Sequence, residues 1–125
     1  MAHILIIDDD ESVRDILLQT LRAAGHSVVV ANNGLEGLIL FRSATTDLVI
    51  TDMMMPYDGL ATIHILRNEC PDIRIIAMSG GGTFRLDYAR GAGAVTTLAK
   101  PFTTDQVMLA VSEALARPST LKSTS

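Results

Sequence analysis

Four consecutive acidic residues, Asp8-Asp9-Asp10-Glu11, and the later Asp52, Ser79 and Lys100 are the side chains in this sequence best suited to chemistry. Alone, an acidic run is a solvated face or a helix start. Brought together in one crevice, carboxylates repel one another, and unpaired they are protonated or destabilise the fold. A hard divalent cation resolves the repulsion, and Mg²⁺ takes oxygen ligands from one or two carboxylates, waters and a phosphate oxygen. A carboxylate can also act as a nucleophile and form an aspartyl-phosphate. Lys100, directly before Pro101, is suited to pair with a carboxylate or an arriving phosphoryl oxygen. Ser79 offers a hydroxyl, and the glycines Gly80-Gly81-Gly82 after it allow close approach. Such a set would neutralise charge developing on phosphoryl oxygens during transfer.

The hydrophobic pattern predicts the elements that bring these positions together. Ile4-Leu5-Ile6-Ile7 reads as a buried strand with the acidic run at its C-terminal end. From residue 11 to 24, Val13, Ile16, Leu17, Leu21 and Ala24 recur at helical spacing, with Asp10 or Glu11 at the start and Gly25 as the stop. Val28-Val29-Val30 reads as a second strand, Asn32-Asn33-Gly34 as a turn and cap, and residues 35–42 as a helix. Leu48-Val49-Ile50-Thr51 is a third strand ending at Asp52. A helix follows over residues 59–69, with Leu60, Ile63 and either Leu66 or Ile65 facing the sheet and Pro71 forcing its end. Residues 73–78 form a fourth strand, 79–83 a flexible turn, 84–90 a short helix ending at Gly91, and 94–98 a fifth strand. The last helix spans residues 103–116, opened by a capping box of Thr103 and Gln106, with Val107, Ala110, Val111, Ala114 and Leu115 inward.

Alternating strands and helices with short connections predict an α/β fold, a doubly wound five-stranded parallel sheet covered on both faces. Ligands in such sheets bind beyond the C-terminal strand ends. Asp8 and Asp9 end the first strand, Asp52 the third, Ser79 the fourth, and the fifth runs on to Lys100. All the chemically notable residues therefore fall on one sheet edge, which favours a site over a solvated acidic run.

Composition fits this reading. The 125 residues suffice for one domain, at 1–117, with 118–125 a disordered tail. Three Phe, two Tyr and no Trp leave an aliphatic core. A net charge of −4 with scattered basic residues gives no case for nucleic-acid binding. No run is long enough to span a membrane and no signal peptide is evident, so a cytoplasmic location is expected. The single Cys70 excludes an internal disulfide.

The order Ile6-Ile7-Asp8-Asp9-Asp10-Glu11, then Asp52-Met53-Met54-Met55-Pro56, then Ser79, then Lys100-Pro101-Phe102, resembles the receiver domain of bacterial two-component response regulators, of the single-domain CheY-like kind. The resemblance covers the chain to about residue 116. It implies a flavodoxin-like (βα)5 fold with strand order 2-1-3-4-5. Asp52 matches the family's phosphoacceptor. Asp8 and Asp9 match the acidic pair that holds Mg²⁺, with Asp9 favoured as the direct ligand, and the backbone carbonyl of Met54 completes the protein's share of coordination. Ser79 matches the hydroxyl that shifts toward the phosphoryl group, and Lys100 the family's lysine, usually followed by a cis peptide. Asp10 is then a helix-start residue and not a ligand. The implied partners are a histidine kinase or phosphotransfer protein as donor and a downstream protein as target. With no linker or second domain after residue 117, output through a separate protein is expected.

Three features depart from the family pattern. Thr97 stands where an aromatic switch residue is usual, the 57–59 loop is one residue short, and the Gly80–Gly82 run makes loop ordering at 79–83 the expected route for the signal. Two other functions fit less well. A phosphatase of the haloacid-dehalogenase type needs an aspartate two residues after the nucleophile, where Met54 stands. A vestigial interaction module would be expected to lose Asp8, Asp9, Asp52 or Lys100, and all four are present. Met53, Met54 and Met55 read as gap fillers, Cys70 as a passenger, and His3, His26 and His64 show no ligand spacing. Tyr88 is either part of a partner surface or packed at a helix edge.

Overall fold

Each apolar run becomes a strand: β1 (His3–Ile7), β2 (Ser27–Ala31), β3 (Leu48–Asp52), β4 (Arg74–Ser79) and β5 (Thr96–Ala99). Between and after them lie α1 (Glu11–Ala23), α2 (Gly34–Ser43), α3 (Gly59–Glu69) and α4 (Thr104–Ala116). The computed structural model describes residues 1–53, 59–80 (59 and 60 by backbone alone) and 96–116. The short helix expected at 84–90, the start of the fifth strand at 94–95, the glycines after Gly80, Met54, Tyr88 and the tail lie outside the described residues. The sheet order is β2-β1-β3-β4-β5 with every pair parallel, the expected doubly wound topology.

Side chains alternate across each strand, so a strand buried on both faces feeds two cores. Ile4, Ile6, Leu48, Ile50, Ile76 and Met78 pack on one face against Leu17 and Leu21 of α1 and Val107 and Val111 of α4. Leu5, Ile7, Val49, Ile75 and Ala77 pack on the other against Leu38 of α2 and Ile63 and Leu66 of α3. Leu66 therefore faces inward, while Ile65 is 40% exposed. On α1 the expected stripe needs correcting. Leu17 and Leu21 are buried with Val13 and Leu18 beside them, but Ile16 is 50% exposed. At 100° per residue Ile16 points well away from the line joining Leu17 and Leu21. Ala24 is also exposed, because it is the C-cap beyond the last full turn.

The caps follow the sequence closely. The Asp10 carboxylate accepts from the Ser12 N–H at 2.9 Å, and Gly25 ends α1 in the left-handed region at φ 94°, where a side chain is strained. The Asn33 side chain accepts from the Glu36 N–H at 2.9 Å, while Glu36 accepts from the Asn32 N–H at 2.8 Å. Thr103 and Gln106 bond reciprocally at 3.1 and 2.8 Å, the predicted capping box.

One glycine sets how closely α2 can approach the sheet. A Cβ at Gly37 would meet the Ile7 side chain, with Cγ1 at 2.8 Å and Cδ1 nearer still. Ile7 is fully buried and immediately precedes Asp8. Gly37→Ala gains about 1 kcal/mol of helix propensity but overpacks a tight contact, which costs about 1–3 kcal/mol. The expected outcome is a net loss of stability, read as a lowered thermal midpoint. A variant more stable than wild type would mean that Ile7 yields without strain.

Candidate functional site

The parallel register levels the strand ends. Ile7 pairs with Thr51, Asp52 with Met78, and Ser79 with Ala99, so the residues just beyond each strand emerge side by side. Backbone bonds pin the segments there: Asp8 N–H to Ala31 O at 3.1 Å, Met53 N–H to Met78 O at 2.9 Å, and Lys100 N–H to Ser79 O at 2.9 Å. Asp8, Asp9 and Asp52 each present a carboxylate oxygen, and the three atoms lie within 4.8 Å of one another. Asp8 and Asp52 are buried, and Asp9 opens to solvent. Ser79 is buried at the end of β4 on the same edge.

Lys100 ties the cluster together. Its Nζ donates to Asp8 Oδ2 at 2.8 Å and to Asp52 Oδ2 at 3.1 Å. The Lys100-Pro101 peptide is cis, as the resemblance implies. The other Asp8 oxygen accepts from the Asp10 N–H at 2.8 Å. Asp10 itself is spent on capping α1, in line with its expected role. An apolar cleft of about 330 Å³ borders the cluster, lined by Val13, Ile16, Lys100, Pro101 and Phe102.

Among the described residues, three carboxylates meet one ammonium that bonds to two of them. Burial pushes the Asp8 carboxyl above its ordinary value. The Lys100 and Asp10 hydrogen bonds oppose that rise, and the Asp52 charge adds to it. For Lys100, burial works against the ammonium. Its bonds and charge interactions with Asp8 and Asp52 outweigh that cost and hold its pKa above the ordinary value.

Among the described residues the clustered donors are carboxylate oxygens, two buried and one exposed, a set that suits Mg²⁺. The expected residues Asp8, Asp9, Asp52 and Lys100 converge, and Ser79 shares their edge. The expected contribution of Met54 lies outside the described residues. None of the histidines joins the cluster: His3 begins β1 at the opposite sheet end, and His26 accepts the Ala2 N–H through Nδ1 at 3.0 Å. Sequence reasoning passed over Arg14, whose Nη1 donates to the Asp8 carbonyl at 2.9 Å. A basic residue one helical turn after the cap of the acidic run was the signal available.

Comparison with known proteins agrees with this arrangement. Residues 4–112 match the response regulator receiver domain. The transcriptional regulatory protein ZraR of Klebsiella oxytoca is 37% identical over 117 residues, covering 92% of this chain and 26% of that protein. Response regulator MprA of Mycolicibacterium vanbaalenii is 38% identical over 121 residues, covering 95% of this chain and 52% of that protein. The chain thus spans about a quarter to a half of the length of these curated relatives. Among solved structures, a response regulator receiver domain protein from Clostridium thermocellum superposes with a TM-score of 0.85 at 30% identity, covering 92% of this chain and 94% of that one. The chemotaxis protein CheY4 of Vibrio cholerae gives 0.86 at 27% identity, covering 92% and 99%. The sheet order, the carboxylate cluster and these matches agree: the chain belongs to the response regulator receiver domain family.

Proposed function

We propose that this phosphoaccepting domain takes its phosphoryl group on Asp52, with Asp8, Asp9, Asp52 and the Met54 carbonyl holding Mg²⁺ and with Lys100 and Ser79 engaging the transferred oxygens. The observation that carries this reading is the ammonium of Lys100 bridging Asp8 and Asp52 inside a cluster of three carboxylates. The donor is a phosphohistidine on a histidine kinase or phosphotransfer protein. An Asp52 oxygen attacks phosphorus, the new P–O bond forms as the P–N bond breaks, and the electron pair remains on the imidazole. Mg²⁺, when bound, would supply positive charge to offset the negative charge gathering on the phosphoryl oxygens.

Lys100 is already within ion-pair reach of Asp52, so it can move its bond from that carboxylate to a phosphoryl oxygen as charge shifts outward. The Ser79 hydroxyl donates to a second oxygen. The apolar cleft beside Lys100 gives the donor a surface adjoining the acceptor. The phosphorylated form then binds a downstream protein. Among the described residues no helix is long and apolar enough to cross a membrane, which is compatible with work in the cytoplasm.

Acetyl phosphate tests the reading without a cognate kinase. With Mg²⁺ present, intact-mass spectrometry should show one added phosphoryl group, labile to hydroxylamine as an acyl phosphate is. Chelating the metal with EDTA should reduce incorporation to background. Equal incorporation with and without Mg²⁺, or an adduct stable to hydroxylamine, would overturn it.

A further inference from the structure

Arg14 lies on the first turns of α1 and is half-buried. Its Nη1 donates to the backbone carbonyl of Asp8 at 2.9 Å. That carbonyl belongs to the connection between the end of β1 and the cap of α1. A carbonyl in such a place needs a donor, and the guanidinium provides one. Asp8 is consequently held from several directions: its N–H by Ala31 O, its carbonyl by Arg14, and its carboxylate by the Asp10 N–H and Lys100. The peptide that Arg14 grips is the one joining Asp8 to Asp9.

We propose that Arg14 is a positioning residue for the divalent cation, fixing the Asp8–Asp9 peptide so that both carboxylates converge with Asp52. This rests on the reading of the cluster as a Mg²⁺ site. Two effects of Arg14 on the cation have opposite signs. As a charge, the guanidinium would repel a divalent cation held by the cluster, so removing it would tighten binding. As an anchor for the connection that carries two ligands, its removal weakens binding. Groups that orient ligands without touching the metal commonly change affinity by about 10-fold or more. Charge and anchoring thus predict changes of opposite sign, and the sign observed identifies the role.

The test is a Mg²⁺ titration of the full chain followed by backbone amide shifts, for wild type, Arg14→Met and Arg14→Lys. The Met variant keeps the apolar stem and loses every donor, and the Lys variant keeps the charge but not the planar fork. Thermal unfolding in metal-free buffer reports the fold separately. The expected result is a Kd for Mg²⁺ raised about 10-fold in Arg14→Met, in a variant that still folds cooperatively without metal at a midpoint lowered by the loss of one hydrogen bond. Phosphorylation by acetyl phosphate should recover at saturating Mg²⁺. Arg14→Lys should fall between the two. A folded Arg14→Met protein with an unchanged or lower Kd would overturn the proposal. If that variant fails to fold, Arg14→Lys decides by the same criterion. A wild-type protein without Mg²⁺-dependent shifts at residues 8, 9 and 52 would instead overturn the metal site itself, and the anchoring role with it.

Discussion

Asp52→Asn should reduce phosphoryl incorporation from acetyl phosphate to background while leaving the domain at least as stable as wild type. The asparagine amide keeps the size and shape of the carboxylate but is neutral and a poor nucleophile, so no acyl phosphate forms. The stability arm follows from the charges. The Asp52 carboxylate is one of the groups that raise the pKa of Asp8, a like-charge interaction inside a buried cluster. Neutralising position 52 removes that repulsion, and Lys100 retains its shorter bond to Asp8, 2.8 Å against 3.1 Å. A rise of about 1 kcal/mol shifts the thermal midpoint by a few degrees in a domain of this size. Activity and stability thus move in opposite directions, as expected where a fold accommodates repulsion for the sake of chemistry. Label at wild-type level on the Asn variant would place the acceptor elsewhere. A midpoint lowered by several degrees would contradict the electrostatic account.

The strands were legible because a parallel sheet buries both faces, leaving nearly unbroken apolar runs that stop at a polar residue. Ile7 before Asp8, Thr51 before Asp52 and Met78 before Ser79 each marked a strand end and a site residue together. The shared edge then followed from the topology of parallel strands. The helices were harder to orient. α2 carries Leu35 and Ile39 outward, at 64% and 55% exposure, as well as Leu38 inward, so its pattern favours no single face. The choice between Ile65 and Leu66, and the error at Ile16, have the same origin. Least legible were contacts that leave no periodic trace. Gly37 against Ile7 and Arg14 against the Asp8 carbonyl depend on how closely two elements pack. Composition and spacing do not record that distance.

Lys100→Met should be among the most destabilising single changes in the domain, and acid should relieve it. The ammonium is the cation bonded to both Asp8 and Asp52, whose side chains are 0% and 3% exposed. Methionine fills much of the stem volume but leaves two ionised carboxylates without that partner. Breaking a buried pair in this way costs about 3–5 kcal/mol, and the solvent-facing Asp9 side of the pocket brings the expectation to the lower end. The pH dependence has a definite sign. Lys100 has a raised folded pKa, so its contribution is complete below its unfolded value and is lost only in strong alkali. Burial already raises Asp8, and the Lys100 hydrogen bond and charge oppose that rise. Without Lys100, Asp8 climbs further. In the variant the folded state then holds a proton that the unfolded state releases, so stability increases as pH falls toward the ordinary carboxylate value of 3.8. The gap to wild type, measured by denaturant unfolding from about pH 8 to about pH 4, should narrow steadily toward acid. Mg²⁺ should narrow it at neutral pH by stabilising the folded state against the same repulsion. Adding Asp8→Asn to Lys100→Met should recover much of the loss, because the second change removes the charge that the first left exposed to repulsion. A gap that stays constant across this pH range, with no recovery in the double variant, would mean that Lys100 contributes through packing of its stem and not through its charge.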